Sequence, residues 1–400
     1  MNSAYIYDGA RSAFGRHGGC LAALRPDDLL AKVIAALVQR NNFDSDLYED
    51  VIAGNTNQAG EDSRNVARHA ALLAGLPIAS AGITLNRLCG SGLAAVLDAS
   101  RCVRCGEGEL FIAGGVESMS RAPLVLSRAV SAFDRGQKLE DSTLGARFPN
   151  PLLVENFGNH TMPQTADNIA LDLGISRADS DAFAAGSQAK YEAARVRGFF
   201  GDEIVSLEVP VGRKKPPRSV VADEHPRPES NVEALGKLRT LFADGVVTAG
   251  NASGINDGAA ALIIGGEAVG SGIGAVPRGR IVAAAVAGVE PRVMGLGPAP
   301  ATQKVLQRAG LSLTDLDVIE INEAFATQVL GCLKLLGLDF DDPRVNPNGG
   351  AIAIGHPLGA SGARLVLTAL RQLEQTGGRY ALVTMCIGVG QGIACIIERL

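Results

Sequence analysis

The sequence predicts an α/β fold built from two similar halves with an excursion between them. Three observations carry that expectation. Short apolar runs alternate with longer amphipathic ones through residues 4–114, the rhythm returns through 280–385, and the stretch between, 122–249, breaks it with charge and proline. At 400 residues the chain exceeds the roughly 250–300 at which a single core stops growing, so two or more domains are expected. In order, residues 4–7 read as a strand, 26–39 as a helix, 51–54 as a strand and 65–74 as a helix. Residues 83–86 then read as extended, 91–104 as helical and 110–114 as a strand. The excursion holds a helix at 180–195, and the run 259–264 re-enters as a buried strand. The last third repeats the series: strand 280–286, helix 299–309, strand 318–321, helix 323–336, helix 361–375, strand 380–385. Segments 85–93 and 356–363 each pass from extended chain through glycines into a long helix, and 110–115 and 382–388 each end a strand in glycine. A duplicated unit explains both pairs.

Composition narrows the class. Hydrophobic residues are 46% and charged residues 20%, values of a globular chain rather than a disordered one. The net charge of −5 and the lack of a long basic block argue against nucleic acid as a partner. Glycine is abundant, 49 residues against the 28 or so that about 7% would give, and Trp is absent. Tight turns and close backbone approaches are therefore expected, around a core of Ala, Val, Leu and Ile. No charged segment followed by an apolar run opens the chain, and no stretch of roughly 18 uncharged apolar residues occurs, so neither signal peptide nor membrane span is expected. Seven scattered cysteines point to reduced thiols in a cytoplasmic protein.

Five segments are candidates for chemistry. Cys89 stands between an extended run and a helix in Asn86-Arg87-Leu88-Cys89-Gly90-Ser91-Gly92. The helix N-terminus would favour thiolate and bring the pKa below about 8.5, although a small residue buried in a tight turn gives the same pattern. His356 lies at a rigid bend, Gly355-His356-Pro357, suited to a fixed base or to a plain turn. Cys386 ends an apolar strand where the glycines of 388–392 begin, which could bring backbone N–H groups to a ligand oxygen. A dinucleotide fingerprint there is rejected, since eight residues after Gly392 cannot make another βαβ unit. Asn322, at the start of Asn322-Glu323-Ala324-Phe325-Ala326, could be a helix N-cap. The amide-rich run 248–258 could be loop packing or a surface for a ligand's amides. Cys102 and Cys105 read as packing residues on one helix, and no metal-ligand pattern, serine elbow or phosphate loop occurs.

Together the five segments, with Gly114-Gly115-Val116-Glu117-Ser118-Met119-Ser120, resemble the thiolase family across the whole chain. Within it, 57–62, 64–68, 347–350 and 388–392 look most similar to the thiolases that cleave 3-oxoadipyl-CoA (β-ketoadipyl-CoA) in aromatic catabolism. The resemblance implies layered α-β-α-β-α halves, residues 1–121 with 250–273 and residues 274–400, and a loop domain at 122–249 that binds coenzyme A. It implies Cys89 as nucleophile, His356 as the base that takes its proton, and Cys386 as second acid/base. Asn322 would hold a water in one oxyanion hole with His356, and the N–H groups of Cys89 and Gly388 would form the other. Ser253 matches a pantetheine contact, Met162 a pocket wall and Arg227 an adenine-stacking arginine. The basic run 213–218 could meet CoA phosphates or be solvated, and Arg64 and Arg68 are candidates for a substrate's ω-carboxylate. Coenzyme A enters as co-substrate, with no bound cofactor and no metal. The family implies a homotetramer, a dimer of dimers. Two departures stand out: Val389 interrupts the glycines after Cys386, and Thr161 rather than His160 precedes Met162, so neither takes a role. The alternatives are an acetyl-CoA acetyltransferase or broad 3-ketoacyl-CoA thiolase, and a non-catalytic acyl-CoA-binding protein of the same fold.

Overall fold

The computed structural model describes residues 2–212 and 215–400. The first half runs β1 (Tyr5–Ser12), α1 (Pro26–Gln39), β2 (Tyr48–Gly54), α2 (Val66–Leu73), β3 (Ala81–Leu85), α3 (Ser91–Cys105) and β4 (Leu110–Ser118). Helices α4 (Met162–Leu173) and α5 (Arg177–Val196) belong to the excursion, and β5 (Asn256–Gly265) returns to the sheet. The second half follows as β6 (Gly279–Gly288), α6 (Pro298–Ala309), β7 (Val318–Ile321), α7 (Ala326–Leu336), α8 (Leu358–Thr376), β8 (Tyr380–Ile387) and β9 (Gln391–Arg399). Local chemistry sets several of these limits. Pro26 opens α1, with Asp27 and Asp28 in its first turn facing the helix dipole, and Gly106 closes α3 in the left-handed conformation. Among the described residues no helix is long and apolar enough to cross a membrane.

The strands order as β7-β8-β9-β6-β1-β5-β4-β2-β3. Read outward from the β1–β6 junction, β1, β5, β4 and β2 on one side mirror β6, β9, β8 and β7 on the other. In each arm the antiparallel pairs are inner and the parallel pair outer. The duplication is therefore one of topology. Alternation along the strands separates the layers. On β5, Ala259, Ala261 and Ile263 face the core of α1 and α2, while Ala260, Leu262 and Ile264 face α3 and α8. On β9, Ile393, Cys395 and Ile397 join that same central core, and Ala394 and Ile396 pack toward α6 and α7. The α-β-α-β-α layering follows, with α3 and α8 in the middle.

Several glycines serve that central layer. A Cβ on Gly92 of α3 would collide with the Gly359 carbonyl of α8, and one on Gly362 with the Leu93 backbone nitrogen. The two helices thus touch backbone to backbone at their N-terminal ends, where Cys89 and His356 precede them. The excursion is tied to β1 by a buried cation: Arg11 bonds Glu203 at 2.9 Å and Asp223 at 2.7 Å, all three side chains fully buried.

Three expectations need correction. The helix expected at 323–336 begins at Ala326, because Ser253 N–H bonds the Ala324 carbonyl and Ala326 N–H the Asn251 carbonyl, holding 322–325 extended. Asn322 is therefore no N-cap. Strand β9 and helix α4 were not anticipated, and Cys105 is exposed rather than packed. Of the basic run, Arg213 and Lys214 lie outside the described residues, and Arg218 is exposed on a strand pair with Leu207–Val209 whose other face is buried.

Candidate active site

Cys89 sits on a sharp turn between β3 and α3. Leu88 takes a φ of +48°, a conformation that ordinary side chains adopt at a cost of about 1–2 kcal/mol. Two side chains strap the turn: Asn86 Oδ1 accepts from Leu88 N–H at 2.9 Å, and Ser91 Oγ accepts from Arg87 N–H at 2.8 Å while donating to the Leu88 carbonyl at 2.6 Å. The Gly388 N–H and the N–H of Cys89 itself both reach the Cys89 sulfur. That contact joins the end of β8 to the start of α3 across the two halves.

His356 is buried at the entrance to α8, its backbone N–H held by Asn256 Oδ1 at 3.0 Å. Ser361 Oγ donates to the Pro357 carbonyl at 2.9 Å, so its lone pair accepts the His356 Nδ1 proton at 2.7 Å. The proton is thereby fixed on Nδ1, which puts the acceptor lone pair on Nε2. Asn322 Nδ2 donates toward that atom at 3.3 Å, and Asn322 Oδ1 is buried with no bonding partner among the described residues. Asn322 is in turn anchored to β8, its N–H bonding the Thr384 carbonyl at 3.0 Å, two residues before Cys386.

Cys386 is buried in a small apolar cluster with Met294, Ala324 and Phe325, and Met162 packs against it. Met162 opens α4, and its sulfur lies 4.0 Å from where a Cβ on Gly388 would stand. Six of the eight expected site residues meet in smaller groups: Asn322 with His356, Cys89 with Gly388, and Met162 with Cys386, whose thiol also feels the charge of Cys89. The other two lie to one side. Ser253 is half-buried on the segment whose Ala252 pairs with Phe325, and Arg227 is exposed on a cleft of about 200 Å³. His225, Ser230, Ala249 and Ile352 also line that cleft, and His225 lies against Gly254, next to Ser253.

The Thiolase, N-terminal domain family matches residues 4–268 and the Thiolase, C-terminal domain family residues 275–399. The chain belongs to the thiolase family. This thiolase is 57% identical to the 3-oxoadipyl-CoA/3-oxo-5,6-dehydrosuberyl-CoA thiolase of Escherichia coli (strain K12), over 100% of both chains. It is 56% identical to a beta-ketoadipyl-CoA thiolase of Acinetobacter baylyi, again over 100% of both. A crystal structure of human mitochondrial 3-ketoacyl-CoA thiolase in complex with CoA superposes with a TM-score of 0.91 at 38% identity, covering 100% of this chain and 98% of that one.

Electrostatics at the site run against one expectation. The thiol of Cys89 is not depressed by the helix; burial pushes it up to about 11, with the Glu117 carboxylate adding to the rise and the two N–H contacts opposing it. The reason is local. Gly90 N–H and Ser91 N–H, which would have faced the sulfur, bond the carbonyls of Arg87 and Leu88 to close the turn. Burial, and then the charge of Arg364, press His356 down to about 3, and burial raises Cys386 well above its ordinary value. In this thiolase the resting pair is thus neutral thiol and neutral imidazole.

Several functional contacts escaped the sequence reading. Ser361 stands five residues beyond His356 and Asn256 ends an amide-rich run, yet nothing in either spacing names their partner. The Arg68 guanidinium bonds the Ser80 and Ile78 carbonyls. Arg64 is exposed on a turn where both it and Ser63 have positive φ.

Proposed function

We propose that this thiolase cleaves 3-oxoadipyl-CoA with CoA, giving succinyl-CoA and acetyl-CoA. The observation that supports the reading is a buried Cys89 thiol beside the Gly388 N–H and within electrostatic reach of Cys386, in a chain whose full-length relatives bear 3-oxoadipyl-CoA and beta-ketoadipyl-CoA thiolase names.

The proposed steps use each of these residues once or twice. His356 Nε2 takes the Cys89 proton as the sulfur attacks the 3-oxo carbon, since neither group is charged at rest. The carbon–carbon bond breaks, the succinyl group stays on sulfur, and the electron pair leaves as the enolate of acetyl-CoA. Cys386 gives that enolate its proton. An incoming CoA then loses its thiol proton to Cys386 and attacks the succinyl thioester, releasing succinyl-CoA and returning a proton to Cys89 through His356. The N–H groups of Cys89 and Gly388 stabilise the oxyanion on the acyl carbon. Asn322 supports a water that, with His356, stabilises the enolate oxygen. Each donor set is worth roughly 3–4 kcal/mol by analogy with single-donor removals. Met162 walls the acyl pocket, Ser253 meets pantetheine, and Arg227 takes the adenine end along its cleft. CoA is co-substrate only, and the enzyme works as a homotetramer in the cytoplasm, where its seven free cysteines stay reduced.

Mass spectrometry after brief exposure to 3-oxoadipyl-CoA without CoA tests the scheme. A succinyl adduct on Cys89 is expected; an adduct elsewhere, or none, overturns it. Turnover of acetoacetyl-CoA exceeding that of the dicarboxylic substrate would favour a broad acetyltransferase instead.

A further inference from the structure

The Gly114–Ser120 motif has so far no part in the chemistry, although one of its side chains lies at the centre of the molecule. Glu117, at the end of β4, is 2% exposed. Its carboxylate accepts three backbone N–H groups: Thr56 at 3.0 Å and Gly359 at 3.0 Å on one oxygen, and Asn57 at 3.2 Å on the other. Those donors come from two places. Thr56 and Asn57 follow β2, and the Thr56 carbonyl receives the Asn86 side-chain N–H at the foot of the Cys89 turn. Gly359 lies three residues after His356, in the first turn of α8.

The backbone segments around this carboxylate approach one another closely. A Cβ on Gly115 would strike the Gly359 and Gly54 carbonyls, and one on Gly359 would strike the Val116 and Gly54 carbonyls. We propose that Glu117 is a positioning residue, a clamp that sets the His356 bend of one half against the Cys89 turn of the other. It touches no reacting atom. This rests on the assignment of Cys89 and His356 as nucleophile and base. The same carboxylate also acts on Cys89 through its charge, opposing ionisation of the thiol. Asp62, whose side chain faces the same interior and bonds Asn55 Nδ2 at 3.1 Å, is the other acid near the clamp.

Reach and charge separate in two variants. E117D keeps the charge but is one methylene short of Gly359. Its kcat is expected to fall at least tenfold, with KM for CoA within twofold and alkylation of Cys89 by iodoacetamide at pH 8 within twofold of the parent. E117Q keeps the reach, loses the charge and offers one acceptor oxygen for three donors. Its kcat is expected to fall at least tenfold while Cys89 is alkylated at least twofold faster. A purely structural role would slow labelling and turnover together in E117Q, or leave E117D within twofold of the parent kcat; either result overturns the proposal. The parent protein supplies a check that needs no variant: the Gly359 amide should be among the slowest in 355–360 to exchange hydrogen, and fast exchange sinks the clamp. Kinetics on both 3-oxoadipyl-CoA and acetoacetyl-CoA keep the readings apart. A parent active only on the second substrate would retire the dicarboxylate assignment and leave the variant ratios to judge Glu117.

Discussion

At the residue scale the proposed chemistry starts from two uncharged groups. With the Cys89 thiol held up near 11 and His356 held down near 3, an ion pair between them is disfavoured at rest, and the proton moves only as the sulfur bonds to carbon. Because a raised thiol pKa leaves the thiolate scarce below it, alkylation of Cys89 by iodoacetamide should rise about tenfold per pH unit from 7 to 10. A plateau near pH 7 would show a thiolate already formed and refute the neutral pair. His356 can act as base only while Nε2 carries the lone pair, which Ser361 ensures by accepting the Nδ1 proton. Ser361→Ala should therefore lower kcat on the order of tenfold to a hundredfold, part of what a general base contributes, and leave KM for CoA nearly unchanged. Steady-state kinetics with both substrates varied would separate the two constants.

At the scale of elements, the site is two turn-helix units pressed together, and their contact has no spare volume. Gly92→Ala would drive a methyl into the Gly359 carbonyl, shifting α3 against α8 and with them Cys89 against His356. Overpacking of this kind costs about 1–3 kcal/mol, and a hundredfold loss of kcat is expected because both catalytic ends move; denaturant titration and turnover measure the two effects. The opposite case is Val389, a β-branched residue at φ +64° and half-exposed. Val389→Gly relieves a left-handed valine and should raise stability by about 1 kcal/mol, read as a higher urea midpoint. The same scale shows what periodicity can reveal. The limits of α1 and β7 are those read from their apolar patterns, because each is closed by local signals: Pro26 and two aspartates in one, apolar burial of all four residues in the other. The start of α7 was misread because its first turn is overruled by a strand-like pairing with 251–253, a contact between residues about 70 apart in the chain. The site divides along the same line. Cys89, His356 and Cys386 stand in recognisable strings, whereas Glu117, Ser361 and Asn256 act through partners that only the fold selects.

For the whole molecule, the mirrored arms of the sheet show how the proposed site draws on both halves: Cys89 follows β3, His356 precedes α8, and Cys386 lies at the end of β8. One part of the surface remains unaccounted for by that architecture. In the excursion, Leu124–Leu126 pairs with Leu139–Asp141 as a short hairpin, and Leu124, Leu126 and Leu139 are each over 60% exposed. Leu124 and Leu126 share a face, since they are two residues apart, and Leu139 stands opposite Leu126 in the register. A two-stranded hairpin with an open apolar face has little stability of its own. Fully covering a leucine stabilises by about 1.5–3 kcal/mol, so the proposed dimer of dimers would gain most by associating through this hairpin. The expectation is that the parent sediments as a tetramer and that the double variant L124K/L126K sediments as a dimer. Its thiol chemistry should survive, because the hairpin contributes no side chain to the Cys89 set, and succinylation of Cys89 in the variant would be measured by mass spectrometry. A variant that stays tetrameric would place the dimer–dimer contact elsewhere on the molecule.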